Sequence, residues 1–156
     1  MRRIALPTAL FLLLPLAAMA QPAACPQAVP ATTLAAAMAA PGAVLTPGTA
    51  VNAQLHPVEH VQFAPAPDRK PPPGTHAGIF VLDVPSAGTW RVGINSRAWI
   101  DVIQNGRTLR GATHPNAGGC TLFTKQVDFT LAPGRTQIQI SSNPEPAAAI
   151  LVEKAQ

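Results

Sequence analysis

The 156-residue chain has no tyrosine, two tryptophans and five phenylalanines, so aromatic residues make up only 4% of it. That scarcity counts against a broad sugar-binding face, because such faces are built from stacked aromatic rings. Charge is scarce as well, at 12% of residues, and forms no basic stripe. Nucleic acid is therefore not an expected partner. Only Cys25 and Cys120 carry thiols. They form no CxxC pair and show no metal-knuckle spacing. No GxSxG marks a nucleophile, and Ser86, Ser96, Ser141 and Ser142 fall at turns or strand ends. No 20 to 50 residue repeat is visible. Beyond the N-terminus no apolar stretch approaches membrane-spanning length.

The first twenty residues read MRRIALPTALFLLLPLAAMA. Arg2 and Arg3 form a positive start. Residues 10–16 form a short apolar centre, and Ala18 and Ala20 are the small residues a signal peptidase reads. The expectation is a signal peptide over 1–20, cleaved after Ala20, and a periplasmic or secreted protein. An uncleaved anchor is the alternative, but the apolar run is too short to span a bilayer. Without that segment nine Lys and Arg face seven Asp and Glu, so the +4 of the whole chain overstates the charge of the mature one. In an oxidising compartment Cys25 and Cys120 are expected to form a structural disulfide rather than a redox pair. The long loop it closes corresponds to about 4 to 5 kcal/mol in the chain-entropy model, as an upper figure.

Residues 21–47 are rich in Ala and Pro and read as a leader. A short helix over 34–40, capped by Thr32 or Thr33 and stopped by Pro41-Gly42, is one option. From 48 to 156 the pattern changes to short apolar alternations separated by turn residues. A period of two places each apolar set on one face of a strand. Strands are expected over 50–56, 58–63, 78–84, 88–94, 98–103, 107–111, 125–131, 136–141 and 148–152. The segments 78–84 and 88–94 read as a pair joined across residues 85–88. Asn105-Gly106 is the strongest hairpin signal, since a type I′ turn needs positive φ twice. Pro133-Gly134 reads as a type II turn. Residues 64–75, APAPDRKPPPGT, hold five prolines in twelve positions, which excludes a central strand and predicts a polyproline surface loop. The fold class expected is all-β: a jelly-roll-like β-sandwich of about eight antiparallel strands. Its core is expected to contain Leu55, Phe63, Phe80, Leu82, Val84, Trp90, Val92, Ile94, Ile100, Val102, Val127, Phe129, Leu131, Ile138, Ile140, Ile150 and Val152.

Four histidines are candidates for metal chemistry. His56 and His60 form an HxxxH that suits a metal only on a helix. In an extended segment they stand about 13 Å apart. A metal site needs the fold to bring His60, His76 and His114 together, with Glu59 or Asp101 completing the set. A triad of Cys120, His114 and Asp128 is conceivable, but a disulfide removes its nucleophile. Trp90 falls on the core face by alternation. Trp99 falls on the opposite face from Ile100 and Val102, beside Arg97 and Asp101. Those three residues are the expected binding site, with packing beneath a sheet or the Pro-rich loop as the alternative for Trp99.

The order of features from residue 45 on resembles the bacterial pre-peptidase C-terminal (PPC-like) domains, which are β-sandwiches appended to secreted enzymes. The matching stretches are LTPGTAVNAQL (45–55), FVLDVPSAGTWRVGI (80–94), WIDVIQNGRTL (99–109) and VDFTLAPGRTQIQISS (127–142), and the pattern they mark runs over 45–142, roughly two-thirds of the mature chain. The chain departs from the pattern in having Arg135 where an aromatic residue usually follows the glycine, and in the inserted Pro-rich loop. It also resembles small stand-alone exported proteins that share this loop, the WIDV run and the cysteine before the VDF strand. Some of these carry the label homogentisate 1,2-dioxygenase, an enzyme that is a longer cytosolic cupin with iron held by two His and a Glu. No His-x-His motif occurs here, and the resemblance carries no catalytic residue onto this chain. The expected function is a non-catalytic exported binding or envelope-accessory module without a cofactor, its partner a glycan or an envelope protein. The alternative is a small metal-dependent enzyme.

Overall fold

A computed structural model describes residues 38–114 and 122–155. The expected signal peptide, Cys25 and Cys120 lie outside them. In chain order the elements are β1 (Met38–Ala39), β2 (Val44–Leu45), β3 (Val51–Gln54), β4 (His56–Pro57), a 3-10 turn (Val58–His60), β5 (His76–Val84), β6 (Gly88–Ile94), β7 (Trp99–Gln104), β8 (Arg107–Thr108), β9 (Ala112–His114), β10 (Lys125–Leu131), β11 (Gly134–Asn143) and β12 (Ala147–Lys154). Two sheets pack face to face as an all-β sandwich. The first has the order β1-β3-β12-β6-β10-β9, the second β2-β5-β11-β7-β8, with β4 added to β5.

The alternations seen in the sequence build the core. Phe80, Leu82, Val92, Ile94, Val102, Ile138, Ile140, Ile150 and Val152 are essentially inaccessible, and Trp90, Phe129 and Leu131 join them. Fully burying one such side chain is worth about 1.5–3 kcal/mol. Four expectations are corrected. Phe63 is not in the core: Pro57 and the 3-10 turn stop the expected second strand, and Phe63 stays half-exposed. Met38–Ala39 is extended rather than helical and pairs in parallel with Asn52 and Ala53. Val44–Leu45 likewise runs parallel to β5, so both sheets are mixed rather than wholly antiparallel. Finally, β5 and β6 do not pair. Residues 85–87 carry the chain from the second sheet to the first.

Crossing between sheets recurs at β6–β7, β8–β9, β10–β11 and β11–β12. At the β10–β11 and β11–β12 crossings, backbone groups freed from the ladders are taken up by buried side chains. Gln104 Nε2 donates to Ala132 O at 2.8 Å and to Thr136 Oγ1 at 2.8 Å, while its Oε1 accepts from Ala132 N at 3.0 Å. Asn143 Nδ2 donates to Glu145 O at 2.6 Å, and Ser96 Oγ donates to Asn143 Oδ1 at 2.6 Å. Trp90 Nε1 donates to Ser86 O at 3.2 Å, pinning the β5–β6 crossing from inside the core. The β7–β8 hairpin is the expected one: Asn105 and Gly106 have φ of 54° and 72°, and Gln104 pairs with Arg107 across them.

Candidate functional site

Strands β7 and β8 end the second sheet on the same side of the sandwich where β10 and β9 end the first. Residues 109–111 cross between these edges, so the side of the sandwich is only partly closed. Gly111 lies directly on Val127 and Phe129, and a Cβ there would collide with both side chains. A cleft of about 340 Å³ opens along this edge. Its walls are Trp99, Ile100 and Asp101 from β7, Leu109, Arg110 and Gly111 from the crossing, Lys125, Val127 and Phe129 from β10, and Asp68 from the Pro-rich loop. The volume lies at the lower end of small-molecule pockets.

Alternation explains the polar end of this cleft. Ile100 and Val102 face the core, so Trp99 and Asp101 stand on the outer face of the second sheet, opposite Ser141 and Gln139 of β11. The Pro-rich loop lies over that face: Gln139 Nε2 donates to Pro65 O at 3.1 Å. Beneath it Asp101 is 4% exposed, and Gln139 and Ser141 are buried. Trp99 Nε1 donates to Asp101 Oδ1 at 3.0 Å. Asp101 Oδ2 is buried with no hydrogen-bond partner, as are Gln139 Oε1 and Ser141 Oγ. Orphaned buried acceptors cost about 1–3 kcal/mol each unless a proton, water or ligand reaches them.

Two cations attend the indole. Lys125 Nζ is 4.8 Å from the Trp99 ring centre, and the Arg69 guanidinium, from the Pro-rich loop, is 5.7 Å from it. Both are within cation–π range. Lys125 also donates to Ala98 O at 2.8 Å. Burial pushes the Asp101 carboxyl above the ordinary carboxylate range, and the neighbouring Asp68 charge adds to the rise. The Trp99 indole N–H and Lys125 oppose it. So does the Asp68 backbone amide, although it does not reach hydrogen-bonding geometry on Oδ2. Burial pulls Lys125 below the usual lysine range, against the attraction of Asp101. In both residues desolvation outweighs their mutual attraction.

Of the residues singled out in the sequence, Trp99 and Asp101 meet in this cleft. Arg97 is exposed on the β6–β7 connection and is not among the cleft's lining residues. Lys125 and Arg69 are functional candidates that sequence reasoning missed. One signal for Lys125 was available: it shares the parity of Val127 and Phe129, so it is a lysine at a core-facing register position. For Arg69 no signal existed, since only the return of the loop over β7 brings it near. His60 lies in the 3-10 turn, and His76 begins β5 in the second sheet. The backbone of His114 pairs with Gln126 in the first sheet, and its side chain lies outside the described residues. Among the described residues no group of three His, Cys, Asp or Glu is arranged to hold a metal, and no helix is long and apolar enough to cross a membrane.

No family model matches the chain, and no curated protein matches it.

Proposed function

We propose that the protein is an exported, non-catalytic binding module of the cell envelope, and that its ligand, a glycan or another envelope protein, enters the cleft at Trp99, Asp101 and Lys125. One observation carries this reading. Asp101 is buried at the wall of an open cleft, yet half of its carboxylate has no partner in the fold. A buried acceptor without a partner is completed by a proton, a water or a ligand donor, and the open cleft beside Asp101 favours the ligand. Trp99 supports the reading, since a half-buried indole held by its own N–H offers an oriented apolar surface. The export signal at 1–20 and a Cys25–Cys120 bridge belong to the same proposal, and the abundance of proline and small residues suits an envelope protein that carries little charge.

The test is a titration of the mature chain with solubilised envelope glycans and, separately, with detergent-extracted envelope proteins, following tryptophan emission. The expected result is a saturable change with one of the two fractions that Trp99→Phe abolishes. A flat response to both overturns the proposal.

A further inference from the structure

We infer that the cleft is built for an acidic sugar, a ligand that presents a carboxylate beside hydroxyl groups; this rests on the binding-module reading above. The argument begins with the charges. Lys125 and Arg110 line the cleft from β10 and from the crossing after β8, and Arg69 of the Pro-rich loop stands over the Trp99 ring, 5.7 Å from its centre. Asp68 and Asp101 are the acids beside them. Asp101 is the buried one, and its first partner is an indole rather than a cation. The cations are thus not consumed in salt bridges. The one ion pair of side chains among the described residues is Arg91 with Asp128, at 2.8 Å, and it belongs to paired positions of β6 and β10.

Lys125 keeps donors to spare. An ammonium has three N–H groups, and Ala98 O takes one. Its half-buried position makes a bare positive charge costly, and an incoming carboxylate offsets that cost. Arg69 adds a planar fork that suits a carboxylate. Asp101 supplies the second requirement. Its free Oδ2 is an acceptor, so the ligand must bring a hydroxyl donor within reach of the same pocket that holds its anionic group. An aliphatic carboxylate lacks the hydroxyl, and a neutral sugar lacks the anion. The half-buried Trp99 ring at the cleft accepts the C–H face of a sugar ring.

The experiment titrates the mature chain with glucuronate, glucose and inorganic phosphate, following tryptophan emission with Trp99→Phe as the control. Glucuronate is expected to bind at least about tenfold more tightly than glucose, the scale of one charge-assisted hydrogen bond, and to weaken as salt is raised. Arg69→Ala, at an exposed loop position that leaves the core untouched, and Lys125→Met are each expected to remove most of that preference. Equal binding of glucose and glucuronate, unchanged in both variants, overturns the acidic class while leaving a binding module in place. Phosphate binding as tightly as glucuronate overturns the need for hydroxyl groups. No binding of any of the three, with a response to envelope fractions intact, overturns the inference alone. No binding of the three and no response to those fractions overturns the module as well.

Discussion

Asp101 is where the demands of folding and of binding diverge. Its carboxyl is held above the ordinary carboxylate range by burial, so the unfolded chain ionises it at a lower pH than the folded one does. Over the interval between the two values the unfolded state binds fewer protons. Stability therefore falls as pH rises through that interval, and the penalty is complete above it. Asp101→Asn removes the charge and keeps the oxygen that accepts from Trp99 Nε1. Gln139, whose Oε1 has no partner, stands directly across the strand pair from it. The variant is expected to gain about 1 kcal/mol at pH 7 and nothing at pH 3, where Asp101 is already neutral. Urea midpoints at the two pH values check this, and an Asn variant less stable than the parent at pH 7 contradicts it. The same substitution is expected to weaken ligand binding, because the free acceptor is gone.

At the scale of the strand and turn, the sequence revealed individual elements better than their partners. The strands expected over 78–84, 88–94, 98–103, 125–131, 136–141 and 148–152 formed where the alternation placed them, whereas 50–56 divides between the two sheets, 58–63 forms no strand and 107–111 stops at Thr108; the inward residues from Phe80 to Val152 were legible because burial of one face enforces that period. The Asn105-Gly106 hairpin was legible for a different reason, since its backbone requires left-handed φ at both residues. Gly106→Ala tests this. The site is open, with no atom near an added Cβ, so any cost comes from the φ of 72° alone. A loss of about 1–2 kcal/mol in thermal or urea unfolding is expected, and an unchanged midpoint contradicts the assignment. Sheet membership was not legible. A turn of a few residues, such as 85–87, serves equally for a hairpin and for a crossing between layers, and what decides between them is distant: Trp90 Nε1 reaching Ser86 O, and Val127 and Phe129 pairing beside Val92 and Trp90. Val61 and Phe63 alternate as a strand does, but the 3-10 turn over Val58–His60 ends just before them and leaves them outside both sheets. Half of the candidate site was legible, Trp99 and Asp101, from their parity on β7. Lys125 and Arg69 reach it through long-range return of the chain, which local pattern does not encode.

The whole molecule is a sandwich whose core lies between the sheets, with a second, smaller layer where the Pro-rich loop covers the outer face of the second sheet. The two layers should separate experimentally. The loop's ends are already tied: Val58 N donates to Thr75 O at 2.9 Å, and Gly74 N donates to Glu59 Oε1 at 3.2 Å. Closing a shorter loop across the same ends therefore costs little, since halving a loop changes its closure entropy by only about 0.6 kcal/mol. Replacing residues 64–73 with a short Gly-Ser linker removes Arg69 from Trp99, the Pro65 carbonyl from Gln139 and the cover from Asp101, but touches none of the residues between the sheets. The expected outcome is a chain that still unfolds in one cooperative transition, with red-shifted Trp99 emission and greater quenching by acrylamide. The core is a different matter. Ile140→Ala, at a fully buried position between the sheets, is expected to cost about 2–5 kcal/mol while leaving Trp99 emission at its parental wavelength. If the loop replacement instead destroys cooperative unfolding, the Pro-rich loop is part of the core's stability and the cleft beneath it is a packing feature rather than a site.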